Sequence, residues 1–202
     1  MTATTIVLLR HATTPTTGRR LGGRKPGFHL DEGGRAQAEA AARRLAGLPV
    51  RAVYASPMER TRETAAPVAH AHGLRVRIER GINEVDYGTW TDRSLAELRR
   101  RAMWRTIQQA PSRVTFPGGE SIRGAQQRAV EATERLAAEH RGATIVLVSH
   151  ADVIKAILAH HLGMGLDHFQ RLVVSPASSS TILLPDGAPA VVLAINDTSD
   201  PR

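Results

Sequence analysis

The sequence predicts an α/β fold, a three-layer sandwich in which a mostly parallel central sheet carries helices on both faces. Three observations lead there. The run "IVLL" at 6–9 is unbroken by polar residues, as strands covered on both faces are. Apolar runs alternate with helical patterns along most of the chain, the order expected of strands joined by crossover helices. At 202 residues and 42% hydrophobic composition, the chain can bury a full core and suits a single domain over 1–202.

Taken in order, 5–9 reads as a strand, and 31–45 as a helix rich in alanine, leucine and glutamine, with Asp31 placed to cap its first N–H groups. A strand over 51–55 leads into a helix over 58–72 closed by Gly73, and a short strand follows over 75–78. A helix over 121–139, a strand over 143–148 and a helix over 152–162 repeat the alternation. Short strands over 172–174, 180–184 and 191–195 end the pattern and give the sheet an antiparallel edge; "PDGAP" between the last two has turn chemistry. The segment 82–119, containing Gly88, Trp90, Pro111 and "FPGGE", fits the alternation worst and reads as an insertion capping the site. Trp90 and Trp104 read as core residues of that cap.

Composition removes several function classes. Zero cysteines exclude disulfides, thiol chemistry and cysteine-ligated zinc. No secretory leader pattern opens the sequence and no run of eighteen apolar residues appears, so the expectation is a soluble, cytoplasmic protein with no membrane partner. The net charge of +8 is carried largely by arginines in clusters such as Arg19–Arg20, Arg43–Arg44 and Arg99, Arg100 and Arg101, which suit solvated helix faces. Aromatic residues are 3% of the chain and no basic stripe interleaves with them, so no nucleic-acid partner is expected.

The strand ends carry the chemistry. "VLLRHA" and "VLVSHA" each finish an apolar run with a histidine, His11 and His150, and "VYASPMERTRETA" places Arg60 and Arg62 just inside the helix after another strand. Parallel strands would bring these ends to one rim, where α/β sheets bind ligands. Clustered guanidinium groups suit a phosphate or carboxylate anion. The same cations discourage a divalent metal, and no His-x-x-x-His or carboxylate set accompanies either histidine, so no metal and no cofactor are expected. A neutral imidazole beside a bound phosphoryl group can attack phosphorus, which makes His11 the candidate nucleophile. Arg24, Lys25, His29 and Arg93 are candidates to line the entrance.

In order and spacing, Arg10–His11, "LDEGGRAQA", "SPMERTRETA", "NEVDYGTW" and "SHADVIKAIL" resemble the histidine phosphatase superfamily, whose fold is called phosphoglycerate mutase-like, over essentially the whole chain. "FPGGES", "DVIKAILAHHLG" and "FQRLVVSPASSS" are similar to a group of actinobacterial proteins named as phosphomutases. The resemblance implies that His11 becomes phosphorylated, that Arg10, Arg60 and His150 hold the phosphoryl oxygens, and that Thr17 and Ala151 contribute to substrate binding. It makes Glu84 the general acid and then the general base, with Asp86, on the same face of an extended segment, as the alternative. Arg62 is expected to point elsewhere as a surface cation. Ser56 and Pro57 would shape the turn, with Pro57 at the first helical position. Two departures stand out: Ala12 replaces the family's glycine, which would strain the loop if φ were positive, and Thr17 stands where many members have asparagine. The implied activity is hydrolysis of a small phosphorylated metabolite. A phosphomutase using the same phosphohistidine and a non-catalytic phosphate-binding protein are the alternatives. Whether the chain forms a homodimer is not readable from periodicity.

Overall fold

In the computed structural model, which describes residues 2–199, the strands are β1 (Ala3–Arg10), β2 (Val50–Ala55), β3 (Val76–Ile78), β4 (Thr144–Ser149), β5 (Ser179–Pro185) and β6 (Val191–Asp197). They form one sheet in the order β3-β2-β4-β1-β5-β6. The first four are mutually parallel, and β5 and β6 add the antiparallel edge beside β1. The helices are α1 (Glu32–Leu45), α2 (Glu59–Ala71), α3 (Leu95–Leu98), α4 (Ala102–Gln109), α5 (Ile122–Glu139) and α6 (Ala151–His161).

Period-two alternation along the strands divides the core into two layers. Ile6, Leu8, Ile145 and Leu147 pack into one cluster with Ala129 and Leu136 of α5 and Ile154 and Ile157 of α6. Val7, Leu9, Val146 and Val148 pack into the other, against Ala38, Ala41 and Leu45 of α1 and Ala65 and Val68 of α2. Each fully buried branched side chain contributes about 1.5–3 kcal/mol, so both faces hold the central strands in register. That register sets the site: Arg10 is level with Ser149, and Ala55 with Val148. The pairing runs one residue further, through His11 N–H to the Ser149 carbonyl (2.9 Å) and Ser56 N–H to the Val148 carbonyl (3.0 Å). His11, Ser56 and His150 therefore leave the sheet side by side.

Three local expectations are corrected. Residues 172–174 form no strand: Val173 is exposed, the Val174 carbonyl accepts from Arg10, and Ser175 N–H donates to the Asn196 side chain, so no ladder partner remains. Helix α2 starts at Glu59 with Met58 as its N-cap, so Pro57 precedes the helix instead of opening it. The cap segment holds α3, α4 and single 3₁₀ turns, but its apolar residues do not form a separate core. Trp90, Leu98, Ile107, Val114 and Phe116 join the α5/α6 cluster, and Trp104 packs against it, with Phe116 stacked edge-on against Tyr87 and Trp90. Gly88, at φ 50°, is required there, since a Cβ would lie 2.2 Å from the Pro117 carbonyl oxygen.

Candidate active site

The loop after β1 is fixed by the start of α1. Asp31 caps that helix by accepting from Gly34 N–H (2.6 Å), and the same oxygen accepts from the Thr13 hydroxyl (3.0 Å). Asp31 N–H donates to the Thr13 carbonyl (3.2 Å), and Gln37 accepts from Thr13 N–H (3.0 Å). Gly34 is needed because a Cβ there would meet the Thr13 carbonyl oxygen at 2.0 Å. The motif "LDEGGRAQA" is thus a staple for the loop that carries His11. Ala12 is fully buried in the α1/α2 core, its N–H donates to Thr64 Oγ1 (3.0 Å), and it is not among the residues with positive φ, so the strain considered for this position does not arise.

His11 is buried and its Nδ1 lies 2.8 Å from its neighbour's carbonyl, Ala12 O. A carbonyl only accepts, so this contact places the proton on Nδ1 and leaves the Nε2 lone pair free. Burial, reinforced by the charges of Arg60 and Arg10, pushes its pKa well below the ordinary 6.5 and keeps the ring neutral. His150, fully buried at the N-cap of α6, stands 5.3 Å away, ring centre to ring centre. Its Nδ1 accepts from Arg60 Nη2 (3.1 Å), so Nε2 donates to Ser56 Oγ (2.7 Å); Ser56 donates in turn to Thr61 Oγ1 (2.8 Å), whose hydroxyl donates to the Met58 carbonyl. This directional chain explains the Ser-Pro turn better than helix initiation does.

Arg60 is 3% exposed; its Nη2 also donates to the Gly23 carbonyl (2.9 Å), while Nη1 is buried without a hydrogen-bond partner among the described residues. Arg10 donates through Nη1 to the Val174 carbonyl (2.7 Å), and its Nε is likewise buried and unpartnered. Buried donors of this kind are costly unless a ligand satisfies them, and guanidinium donors fit the oxygens of a phosphoryl group.

Glu84 faces the same centre. Its Oε1 accepts from Val85 N–H (2.9 Å), and Oε2 lies 3.5 Å from His150 Nδ1 and 3.8 Å from Arg60 Nη2. Burial raises its pKa from 4.5 to about 7; Arg60 opposes the rise and the charge of Asp152 adds to it. The backbone beneath it is clamped: the Glu84 carbonyl accepts from Arg24 Nε (2.8 Å) and Arg128 Nη2 (3.0 Å), Arg128 also holds the Gly81 and Asn83 carbonyls, and Ser149 donates to the Ile82 carbonyl.

Arg10, His11, Arg60 and Glu84 line one end of a cavity of about 220 Å³; His150, expected to hold phosphoryl oxygens, does not line it, because both its ring nitrogens are taken by Arg60 and Ser56. Thr17 and Ala151 line it too, although the Thr17 hydroxyl is already shared with Thr14. Asp86 does not line it: its carboxylate accepts from Gly88 N–H and faces Arg24 at 3.7 Å, because the chain turns at Tyr87–Gly88 instead of continuing extended. Arg62 is exposed, as expected. Arg24, Lys25, His29 and Arg93 do not line the entrance but are ion-paired with Glu120, Asp92, Glu63 and Glu97. Sequence reasoning missed Thr14, Arg20, Phe28, Tyr87, Leu95 and Asp152 in the lining; Tyr87 and Asp152 lie inside the motifs "NEVDYGTW" and "SHADVIKAIL", one turn or less from the residues it selected. Away from the rim, at the other end of α6, Glu134, His160 and His161 bring one potential ligand atom each within 4.8 Å of one another, with Glu134 and His160 exposed. No helix among the described residues is long and apolar enough to cross a membrane.

A family model described as histidine phosphatase superfamily (branch 1) matches residues 6–198. Phosphoserine phosphatase 1 of Hydrogenobacter thermophilus is 32% identical over 197 residues, covering 96% of this chain and 92% of that one. The "Bifunctional protein Rv2228c" of Mycobacterium tuberculosis is 36% identical over 203 residues; the match covers 98% of this chain and 55% of that protein, so the chain spans about half the length of this relative. Among solved structures, a mycobacterial glucosyl-3-phosphoglycerate phosphatase superposes with a TM-score of 0.86 at 25% identity, over 96% of this chain and 99% of that one.

Proposed function

Since the chain belongs to the histidine phosphatase superfamily, we propose that it hydrolyses phosphomonoesters of small metabolites through a phosphohistidine on His11. The observation that carries this reading is the neutral His11 ring, with Nδ1 tied to Ala12 O, lining one cavity with two arginines that each keep a buried donor unpartnered among the described residues. Nε2 attacks phosphorus and the ester P–O bond breaks while Arg10 and Arg60 hold the phosphoryl oxygens and His150, accepting from Arg60 Nη2, keeps that guanidinium in place. Protonated Glu84 gives its proton to the departing oxygen, so the alcohol leaves neutral. Ionised Glu84 then takes a proton from water, whose oxygen attacks the phosphohistidine, releasing inorganic phosphate and restoring neutral His11. A pKa of about 7 suits a group that must serve in both protonation states near neutrality.

Pre-steady-state release of the alcohol from an alkyl phosphomonoester and of nitrophenol from para-nitrophenyl phosphate, which precedes the step where Glu84 acts as base, tests this assignment. Glu84→Gln is expected to slow the alkyl ester by roughly 10²–10⁴-fold and the aryl ester, whose leaving group needs no proton, far less. Equal losses on both would remove Glu84 from the acid role. Transfer of the phosphoryl group to an added phosphoglycerate in preference to water would replace hydrolysis by mutase chemistry.

A further inference from the structure

We propose that Asp152 selects the leaving group, favouring phosphomonoesters whose alcohol carries an ammonium group close to the ester oxygen and disfavouring those with a carboxylate there. The inference rests on the hydrolase reading above and deepens it. Of the ionisable side chains lining the cavity, Arg10, His11, Arg60 and Glu84 are taken up by the phosphoryl group and the proton transfer. Two charges remain for the rest of the substrate, Arg20 and Asp152. The Arg20 fork is already engaged, with Nε on Asp92 Oδ1 at 2.6 Å and Nη2 on the Asp92 carbonyl. Asp152 accepts one hydrogen bond among the described residues, from the Tyr87 hydroxyl at 3.3 Å, and a carboxylate has room for more.

Asp152 is built into this position. It lies in the first turn of α6, where the helix dipole favours an anion, two residues after His150. Tyr87 is buried and its pKa is pushed well above 10 by burial and by the carboxylates of Glu84 and Asp152, so it remains a donor that fixes the Asp152 carboxylate. Lys155 approaches from the same helix at 3.7 Å, but its ammonium donates to Gln170 (3.0 Å) and it does not line the cavity. The charge of Asp152 reaches both Arg10 and Glu84, which places it within electrostatic range of the ester oxygen's surroundings. With a dianionic phosphoryl group offsetting the two buried arginines and Arg20 held by Asp92, Asp152 supplies the remaining carboxylate of the lining. Like charge placed there is rejected and opposite charge accepted.

Three two-carbon esters of equal length test the assignment: O-phosphoethanolamine, 2-hydroxyethyl phosphate and 2-phosphoglycolate, with para-nitrophenyl phosphate turnover by the unmodified protein as control. The expected order of kcat/KM is ammonium, then hydroxyl, then carboxylate, with at least a tenfold span. Asp152→Asn, an isosteric change, should collapse the ammonium-to-carboxylate ratio at least tenfold, and Tyr87→Phe should reduce it less. An unchanged ratio in Asp152→Asn, or a preference of the unmodified protein for the carboxylate ester, overturns the role of Asp152 while leaving the hydrolase reading intact. No turnover of para-nitrophenyl phosphate by folded, unmodified protein overturns the hydrolase reading and this inference with it.

Discussion

Replacing Glu84 by glutamine removes a carboxyl group that is 9% exposed and whose pKa is raised from 4.5 to about 7. The folded protein therefore binds that proton more tightly than the unfolded chain does. The stabilisation is fully present below about pH 4.5 and is lost as pH rises through about 7, where the folded state must hold a buried anion. At 1.36 kcal/mol per pKa unit, the ionised form costs the fold about 3 kcal/mol. Glutamine keeps the shape and has no such dependence. Thermal melts of both proteins at pH 5, 6, 7 and 8 should show Glu84→Gln gaining on the unmodified chain as pH rises and levelling off above 7. For a chain of this size, 1 kcal/mol corresponds to about 2–4 °C in Tm, so the separation should grow by about 6–12 °C. The same variant loses activity, which makes Glu84 a group that trades stability for chemistry. A Tm difference that stays flat between pH 5 and 8 would refute the burial argument for its raised pKa.

Other outcomes follow from the same geometry. Gly34→Ala drives a Cβ toward the Thr13 carbonyl oxygen, so it should cost about 1–3 kcal/mol in denaturant unfolding and lower kcat/KM by displacing the His11 loop; a neutral effect on both would dissolve the staple. Because the His11 pKa lies well below 6.5, lowering pH from 7 to 5.5 should leave its attack unimpaired, and the burst of alcohol from an alkyl ester should grow as Glu84 becomes protonated. A fall in burst amplitude centred near pH 6.5 would show a ring that titrates normally. Ser56→Ala leaves the buried Nε2 donor of His150 unsatisfied, at about 1–3 kcal/mol, read as a lower Tm and a weaker apparent affinity for inorganic phosphate as a competitive inhibitor.

Much of the frame was legible because the forces that build it act locally in sequence. The apolar run at 6–9 and the alternation of elements identify a sheet with helices on both faces, and the shared position of His11 and His150 after their strands places them on one rim. What escaped was set by pairing and turns. Residues 172–174 have strand composition, yet the Arg10 guanidinium takes the Val174 carbonyl and the sheet position beside β1 goes to β5. Glu84 and Asp86 share a face only if the chain stays extended, and the turn at Tyr87–Gly88 separates them. Arg24, Lys25 and His29 read as entrance residues because the acidic partners that draw them away, Glu120, Asp92 and Glu63, are distant in sequence. Asp152 lies inside a motif read for His150, and it is the first turn of α6 that brings it to the cavity.

Hydrolysis through His11 requires a covalent phosphoryl group on that ring. Rapid-quench mass spectrometry of the protein mixed with para-nitrophenyl phosphate, with peptide mapping and His11→Ala as control, tests it most directly. A phosphoryl group on His11 should form with the burst of nitrophenol and decay as inorganic phosphate appears, with neither labelling nor turnover in the variant. Turnover without label on His11, or turnover that survives His11→Ala, would contradict it.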